Sequence, residues 1–182
     1  MTTSELFDKI TGEAKKIFVQ KTSDYGTSWR VYRTISIADQ IYIKAKRIRT
    51  IQEKKTQRIA DDIRSEFTGI LNYAVIGLIQ LKINNDEPEQ LSAEQTEFYY
   101  SEVVKAAKEL MENKNHDYGE AWRDISEEGF VDLILAKILR IKQILNNEGK
   151  TLISEGIDAN FFDILNYAVF ALILKDEKNN RK

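Results

Sequence analysis

Apolar residues recur along the chain at the three- and four-residue spacing of amphipathic helices. The first such stripe follows Thr2 and Glu5, which have the spacing of a helix-capping box. The stripe consists of Leu6, Ile10, Ala14, Ile17 and Phe18. No segment sustains the strict alternation typical of strands, and the pattern therefore predicts an all-α fold.

Two more helices are predicted after the first, over residues 36–53 and about 58–82. The later one has a broad apolar surface, which indicates that it is the most buried helix of its group. A similar series follows, with apolar stripes over 99–111, 130–147 and 157–175. The chain is therefore expected to contain two groups of roughly three helices.

Identical segments show that the second group repeats the first. Residues 24–30 read Asp-Tyr-Gly-Thr-Ser-Trp-Arg, and residues 117–123, at an offset of 93, agree with them at five of seven positions. The segment Ile-Leu-Asn-Tyr-Ala-Val at 70–75 recurs unchanged at 164–169, an offset of 94. We interpret the chain as a tandem duplication.

The boundaries of the duplication follow from composition. We assign a first repeat to residues 1–82, a polar linker with the only proline to 83–91, and a second repeat to 92–182. Because three helices alone cover only part of a core, we expect the two repeats to pack with pseudo-twofold symmetry into one compact domain.

Composition removes several kinds of chemistry. The 182 residues include no Cys and one His, which excludes disulfides, thiolate nucleophiles and Cys- or His-based metal sites. The net charge of -2 favours neither nucleic acid nor an anionic membrane as a partner. No signal peptide or membrane-spanning run is apparent, so we expect a cytoplasmic protein. The sequence leaves the oligomeric state open.

The first repeated motif is Lys-x-x-Asp-Tyr-Gly-x-x-Trp. Its carboxylate, phenol, cation and indole, presented by a short loop, would suit a nucleotide pocket. Alternatively, the acid braces a turn, the glycine adopts positive φ and the aromatic side chains fill the core. The motif residues are Lys21, Asp24, Tyr25 and Trp29 in the first repeat, and Lys114, Asp117, Tyr118 and Trp122 in the second.

The second motif is Lys-x-x-Arg, whose two cations point the same way on a helix. The pairs are Lys44 with Arg47, and Lys137 with Arg140. Each pair flanks the apolar stripe, so its partner is either a ligand phosphate or a protein carboxylate such as Asp117 or Asp163.

The third motif lies on the last helix of each repeat. In the second repeat, Asp163, Asn166 and Tyr167 share one face, and Asp158 lies about one turn earlier. Together with Asp117, these acids are predicted to hold Mg²⁺ through carboxylates and substrate phosphates.

The first repeat lacks this acid set. It keeps Asn72 and Tyr73 but has Gly69 and Arg64 where the second repeat has its two aspartates. We therefore expect any metal site in the second repeat, with the first as partner or scaffold.

The three motifs in this order resemble the nucleotide modification associated domain of bacterial and phage proteins. The resemblance covers nearly the whole chain, twice, and implies an all-α domain with a role in nucleotide or DNA-base modification. The layout is also similar to the all-α nucleoside triphosphate pyrophosphohydrolases, although their Glu-x-x-Glu pairs are missing here. That similarity is one of fold class only.

Three functions are consistent with these features. The first is binding of a nucleotide or modified base, with hydrolysis of a phosphoanhydride by Mg²⁺ as an extension. The second is a non-catalytic scaffold or adaptor in which every motif is structural. Nucleic-acid binding through the basic run from Lys44 to Arg58 ranks last, because the second repeat does not reproduce its charge density.

Overall fold

The computed structural model describes residues 1–181. Within that range it contains six α-helices, two short 3₁₀ turns and no strand, which confirms the all-α prediction. The 3₁₀ turns, Ser28–Val31 and Ala121–Asp124, occupy equivalent places in the two repeats. The helices are α1 (Thr3–Tyr25), α2 (Thr34–Lys54), α3 (Ile63–Ile83), α4 (Ala93–Tyr118), α5 (Glu127–Asn146) and α6 (Ile157–Asn180).

Local signals set the ends of α1 and α4. The capping box at Thr2 is present, with its hydroxyl accepting from the Glu5 amide at 3.2 Å, and Ser92 caps α4 in the same way. Both helices end at a glycine with φ near +60°, Gly26 at 63° and Gly119 at 62°. Glycine adopts this conformation without steric cost, unlike other residues.

These ends correct one expectation about the first motif. The Asp-Tyr pairs are the last residues of α1 and α4 and do not lie in a short loop between helices. The helical conformation persists up to each glycine, so Lys21 and Tyr25 lie about one turn apart on the same side of α1.

The core is centred on α3 and α6, the two helices predicted to be most buried. They approach closely, since a Cβ atom on Gly77 would lie 2.9 Å from the Phe161 ring. Helix α6 is long and apolar enough to span a membrane, with a mean hydropathy of 1.5, but 67% of that segment is buried in the protein. A core helix has the same composition.

The helices pack with pseudo-twofold symmetry. Each helix of one repeat contacts its counterpart in the other, as α1 with α4, α2 with α5 and α3 with α6. The cross-contacts are also reciprocal, because α1 packs on α6 and α4 packs on α3. The structure therefore consists of two three-helix units with a shared core.

Arg30 holds the connection between α3 and α4 in place. Its guanidinium donates to the backbone oxygens of Asn84 at 3.0 Å, Glu87 at 2.7 Å and Pro88 at 3.2 Å. These bonds tie the connection between α3 and α4 to the first 3₁₀ turn, so Arg30, the last residue of the repeated segment 24–30, has a structural role.

Candidate functional site

A cavity of about 470 Å³ opens in the first repeat between α1, α2 and α3. This volume is within the range of small-molecule sites in proteins. The cavity brings together most of the first-repeat residues that the sequence singles out as candidates. Those in its lining are Lys21, Tyr25, Trp29, Lys44, Asn72 and Tyr73.

A buried carboxylate, Glu66, forms part of the cavity wall and was not among the predicted residues. It is 7% exposed, and Oε1 accepts from Arg47 Nη1 at 2.7 Å. Its other oxygen lies 3.4 Å from Lys44 Nζ. Both cations of the first-repeat Lys-x-x-Arg pair therefore have a protein partner, as a buried charge requires.

Space for the cavity depends on Gly69. A Cβ atom there would lie 2.9 Å from Lys44 Cε, so the lysine side chain passes directly over the glycine. Lys21, on the facing helix, is exposed and forms no ion pair within residues 1–181. The cavity therefore holds one lysine that Glu66 partly neutralises and one without a carboxylate partner in the described chain.

Aromatic side chains form part of the remaining wall. Tyr25 is 71% exposed, whereas Trp29 is buried. The Tyr73 ring lies 6.4 Å from that of Tyr32, and burial raises the Tyr73 pKa, with a further contribution from Tyr32. Flat rings of this kind suit stacking against a planar heterocycle.

The two repeated asparagines are structural. Asn72 Nδ2 donates to the Ala14 oxygen at 3.1 Å, and Asn166 Nδ2 donates to the Ala107 oxygen at 3.2 Å. Each bond joins the last helix of a repeat to its first helix at equivalent positions. The side chains thereby fix the helix packing behind the motif residues.

In the second repeat, Asp163 takes the place of Gly69 and changes the local electrostatics. Its carboxylate lies 2.6 Å from Lys114 Nζ and 2.7 Å from Lys137 Nζ. Burial acts to raise the Asp163 pKa, but the two lysines outweigh it and hold the pKa below its ordinary value. Burial of the Tyr167 side chain raises its pKa, and the nearby Asp163 charge adds to this effect.

Trp122 also has a different environment from Trp29. It stacks on Phe170 with ring centroids 4.3 Å apart, and the Arg123 guanidinium lies 4.5 Å from its ring. The residue equivalent to Phe170 in the first repeat is Ile76. Bulkier and charged side chains thus stand in the second repeat at positions that border the cavity in the first.

The other predicted residues lie outside the cavity. Asp24, Asp117 and Tyr118 are exposed at the ends of α1 and α4. Arg140 is exposed, forms no ion pair in the described residues and lines a separate, more open cavity of about 940 Å³ together with Lys137. Of Lys137 and Arg140, only Lys137 contacts one of the carboxylates predicted as its partner, namely Asp163.

The predicted metal-binding trio does not come together. Asp117 is 76% exposed at the end of α4, Asp158 is exposed in the first turn of α6, and Asp163 is buried between two lysines. No group of three acidic or histidine side chains suited to a metal ion occurs in residues 1–181. The reason is that the ammonium groups, and not other carboxylates, surround the one buried aspartate.

Comparison with known proteins places the chain in a family. The model of the family described as nucleotide modification associated domain 1 matches the chain twice, over residues 21–81 and 114–174. Each matched segment begins at the lysine of the first motif and includes all three motifs, which confirms the resemblance and the tandem duplication. No curated protein and no solved structure matches the chain significantly.

Proposed function

Because the chain belongs to the nucleotide modification associated domain 1 family, we propose that it binds a nucleotide or a modified nucleobase in the cavity of the first repeat. One observation carries this proposal: six residues from all three repeated motifs line that single cavity. Tyr25 and Tyr73 offer faces for a base, and Lys21 offers a charge for a phosphate.

The second repeat has a supporting role in this proposal. Its two lysines are already bound to Asp163, and its tryptophan is already stacked on Phe170. The scaffold function considered as the alternative thus fits Lys114, Lys137 and Trp122 of the second repeat, whose partners are protein groups.

Binding, and not metal-dependent hydrolysis, is the activity that these side chains support. The buried acid of the cavity, Glu66, already has a cation at each oxygen. Of the other lining residues only Asp61 is acidic, so the cavity offers a poor ligand set for a protein-held Mg²⁺. Any Mg²⁺ would enter as a counter-ion of the nucleotide phosphates.

The test is a panel of nucleosides, nucleotides and modified bases in thermal shift and calorimetry, with and without Mg²⁺. Tyr25→Ala should weaken the best ligand by about 1–3 kcal/mol, the scale of one base–aromatic stacking contact. The variant should fold normally, because this side chain is mostly exposed. Released phosphate and pyrophosphate are measured in parallel, and neither is expected.

Tyr118→Ala is the matched variant, since Tyr118 is 76% exposed at the same place in the second repeat. An equal loss of affinity in both variants would contradict binding in the first repeat alone. Absence of binding by every member of the panel would overturn the proposal and favour the scaffold function for the whole chain.

A further inference from the structure

The second repeat contains an anion where the first repeat has none. The Asp163 carboxylate bridges Lys114 and Lys137 at 2.6 and 2.7 Å. The equivalent lysines of the first repeat are Lys21 and Lys44, and both line the cavity. Gly69 stands at the position of Asp163, and the Lys44 side chain lies over it, with Cε 2.9 Å from where a Cβ atom would be. Lys44 pairs with Glu66, whereas Lys21 has no carboxylate partner in the described residues.

We propose that the ligand supplies this missing anion: a single phosphate group of a nucleoside monophosphate binds between Lys21 and Lys44. This inference rests on the proposed function and specifies its ligand class. In the second repeat the Asp163 carboxylate contacts both equivalent lysines, and in the first repeat the phosphate takes over that role. A phosphate oxygen accepts from ammonium groups in the same manner as a carboxylate oxygen.

The charges of the cavity favour one phosphate over three. Two lysines, Lys21 and Lys44, and two acids, Asp61 and Glu66, line it, so its charges balance. A phosphate monoester carries about two negative charges at neutral pH; Lys21 compensates one of them, and Lys44 divides its charge between the phosphate and Glu66. The further phosphates of a triphosphate would add negative charge beside the two acids, and like charges repel strongly where solvent is excluded.

The aromatic side chains in the lining indicate that the bound phosphate is attached to a nucleoside. Trp29, Tyr32 and Tyr73 present aromatic surface within the same cavity. An inorganic phosphate or a sugar phosphate would leave that surface without a partner. The nucleoside part therefore contributes stacking energy, and the phosphate contributes the ionic contact.

The test is calorimetry with four probes at low salt: inorganic phosphate, nucleosides, nucleoside 5′-monophosphates and nucleoside 5′-triphosphates. At least one monophosphate should bind more than about tenfold tighter than its nucleoside, the scale of one charge-assisted hydrogen bond. Lys21→Ala should remove this advantage, so that the monophosphate binds about as tightly as its nucleoside. Lys16→Ala removes an exposed charge from the same helix outside the cavity and serves as the control.

Gly69→Asp gives an independent test, because it places a carboxylate where the second repeat has one. The aspartate should pair with Lys21 and Lys44 after a small shift of the Lys44 side chain, and it should reduce monophosphate affinity by at least about tenfold. Circular dichroism and the Tm establish that the variant folds. If it does not fold, Lys21→Ala decides the question.

The two proposals fail in different ways. If no nucleoside, nucleotide or modified base of the panel binds, the proposed function is wrong. If nucleotides bind but triphosphates bind more tightly than monophosphates, or Lys21→Ala leaves the monophosphate advantage intact, the proposed function stands and the single-phosphate site is overturned. Equal binding of inorganic phosphate and monophosphates also overturns it.

Discussion

The Tyr100 hydroxyl donates to Asn72 Oδ1 at 2.7 Å and thereby joins the second repeat to the first in the buried core. The equivalent of Tyr100 in the first repeat is Phe7, which has no hydroxyl. On the other side of the pseudo-twofold axis, Asn166 Oδ1 is buried without a hydrogen-bond partner in residues 1–181. The missing hydroxyl accounts for the unpartnered oxygen.

Single substitutions at these two aromatic residues should change the free energy of unfolding in opposite directions. Tyr100→Phe should lower the free energy of unfolding by about 1–3 kcal/mol, because it leaves Asn72 Oδ1 without its donor. Phe7→Tyr should raise it by about 0.5–1.5 kcal/mol, because the new hydroxyl reaches Asn166. Urea denaturation measures both. Destabilisation by Phe7→Tyr would show that the symmetry does not extend to this contact.

The Asp163 carboxylate should make the free energy of unfolding depend on pH. Its pKa is lower in the folded protein than its ordinary value, so its contribution is present above about pH 4 and is lost as pH falls through the depressed folded pKa. At neutral pH, Asp163→Asn should cost up to about 3 kcal/mol, since Lys137 remains largely shielded from solvent without its partner.

The measurement is the Tm of both proteins from neutral to strongly acidic pH. The gap between them should narrow below about pH 4, because wild type then loses the same ionic contact. Asp117→Asn, at an exposed position, should change stability by less than about 0.5 kcal/mol. A gap that stays constant with pH would contradict a stabilising charge on Asp163.

Arg47 should hold the connection between α2 and α3 in place. Its Nη2 atom donates to the backbone oxygens of Asp61 at 2.7 Å and Ile59 at 3.3 Å, in addition to the Glu66 contact. Arg47→Lys cannot form all these bonds, because an ammonium lacks the forked geometry of a guanidinium. Amide hydrogens over residues 55–62 should then exchange faster, as mass spectrometry would detect.

Arg140→Lys is the control for this substitution. Arg140 has the equivalent place in the second repeat but is exposed and has no ion pair in the described residues. Its conversion to lysine should leave exchange across residues 147–156 unchanged. Similar effects of the two substitutions would mean that the bonds to Ile59 and Asp61 do not restrain the connection.

Mg²⁺ alone should not stabilise the protein. The three aspartates predicted as a metal site lie apart, and the Asp163 carboxylate is already neutralised by Lys114 and Lys137. Addition of millimolar MgCl₂ without nucleotide, or of EDTA, should therefore leave the Tm unchanged. A clear rise with MgCl₂ that Asp163→Asn abolishes would restore the metal site to the second repeat.

The sequence predicts the fold well because its signals are local. The apolar stripes, the capping box at Thr2 and the glycine after each Asp-Tyr pair depend only on nearby residues, and each marks a helix or a helix end in the structure. The duplication supplies the remaining information, since two copies of one unit with exposed apolar faces have few ways to cover them.

The site is predicted only in part, because ion pairs join residues distant in the chain. Aligning the repeats places Gly69 opposite Asp163 and suggests that the first repeat has lost its acid. The structure shows that Glu66, one helical turn earlier, provides a carboxylate for Lys44. A lone acid on the otherwise apolar face of α3 is the signal that would have revealed it.

The contact of every helix with its own counterpart has an evolutionary consequence. A single repeat with this geometry could assemble as a symmetric homodimer, but identical chains would then place the same residue at both equivalent positions. Fusion into one chain removes that constraint, and Gly69 and Asp163 can coexist in one molecule. Duplication thus allows one half to stabilise the assembly while the other half acquires an open site.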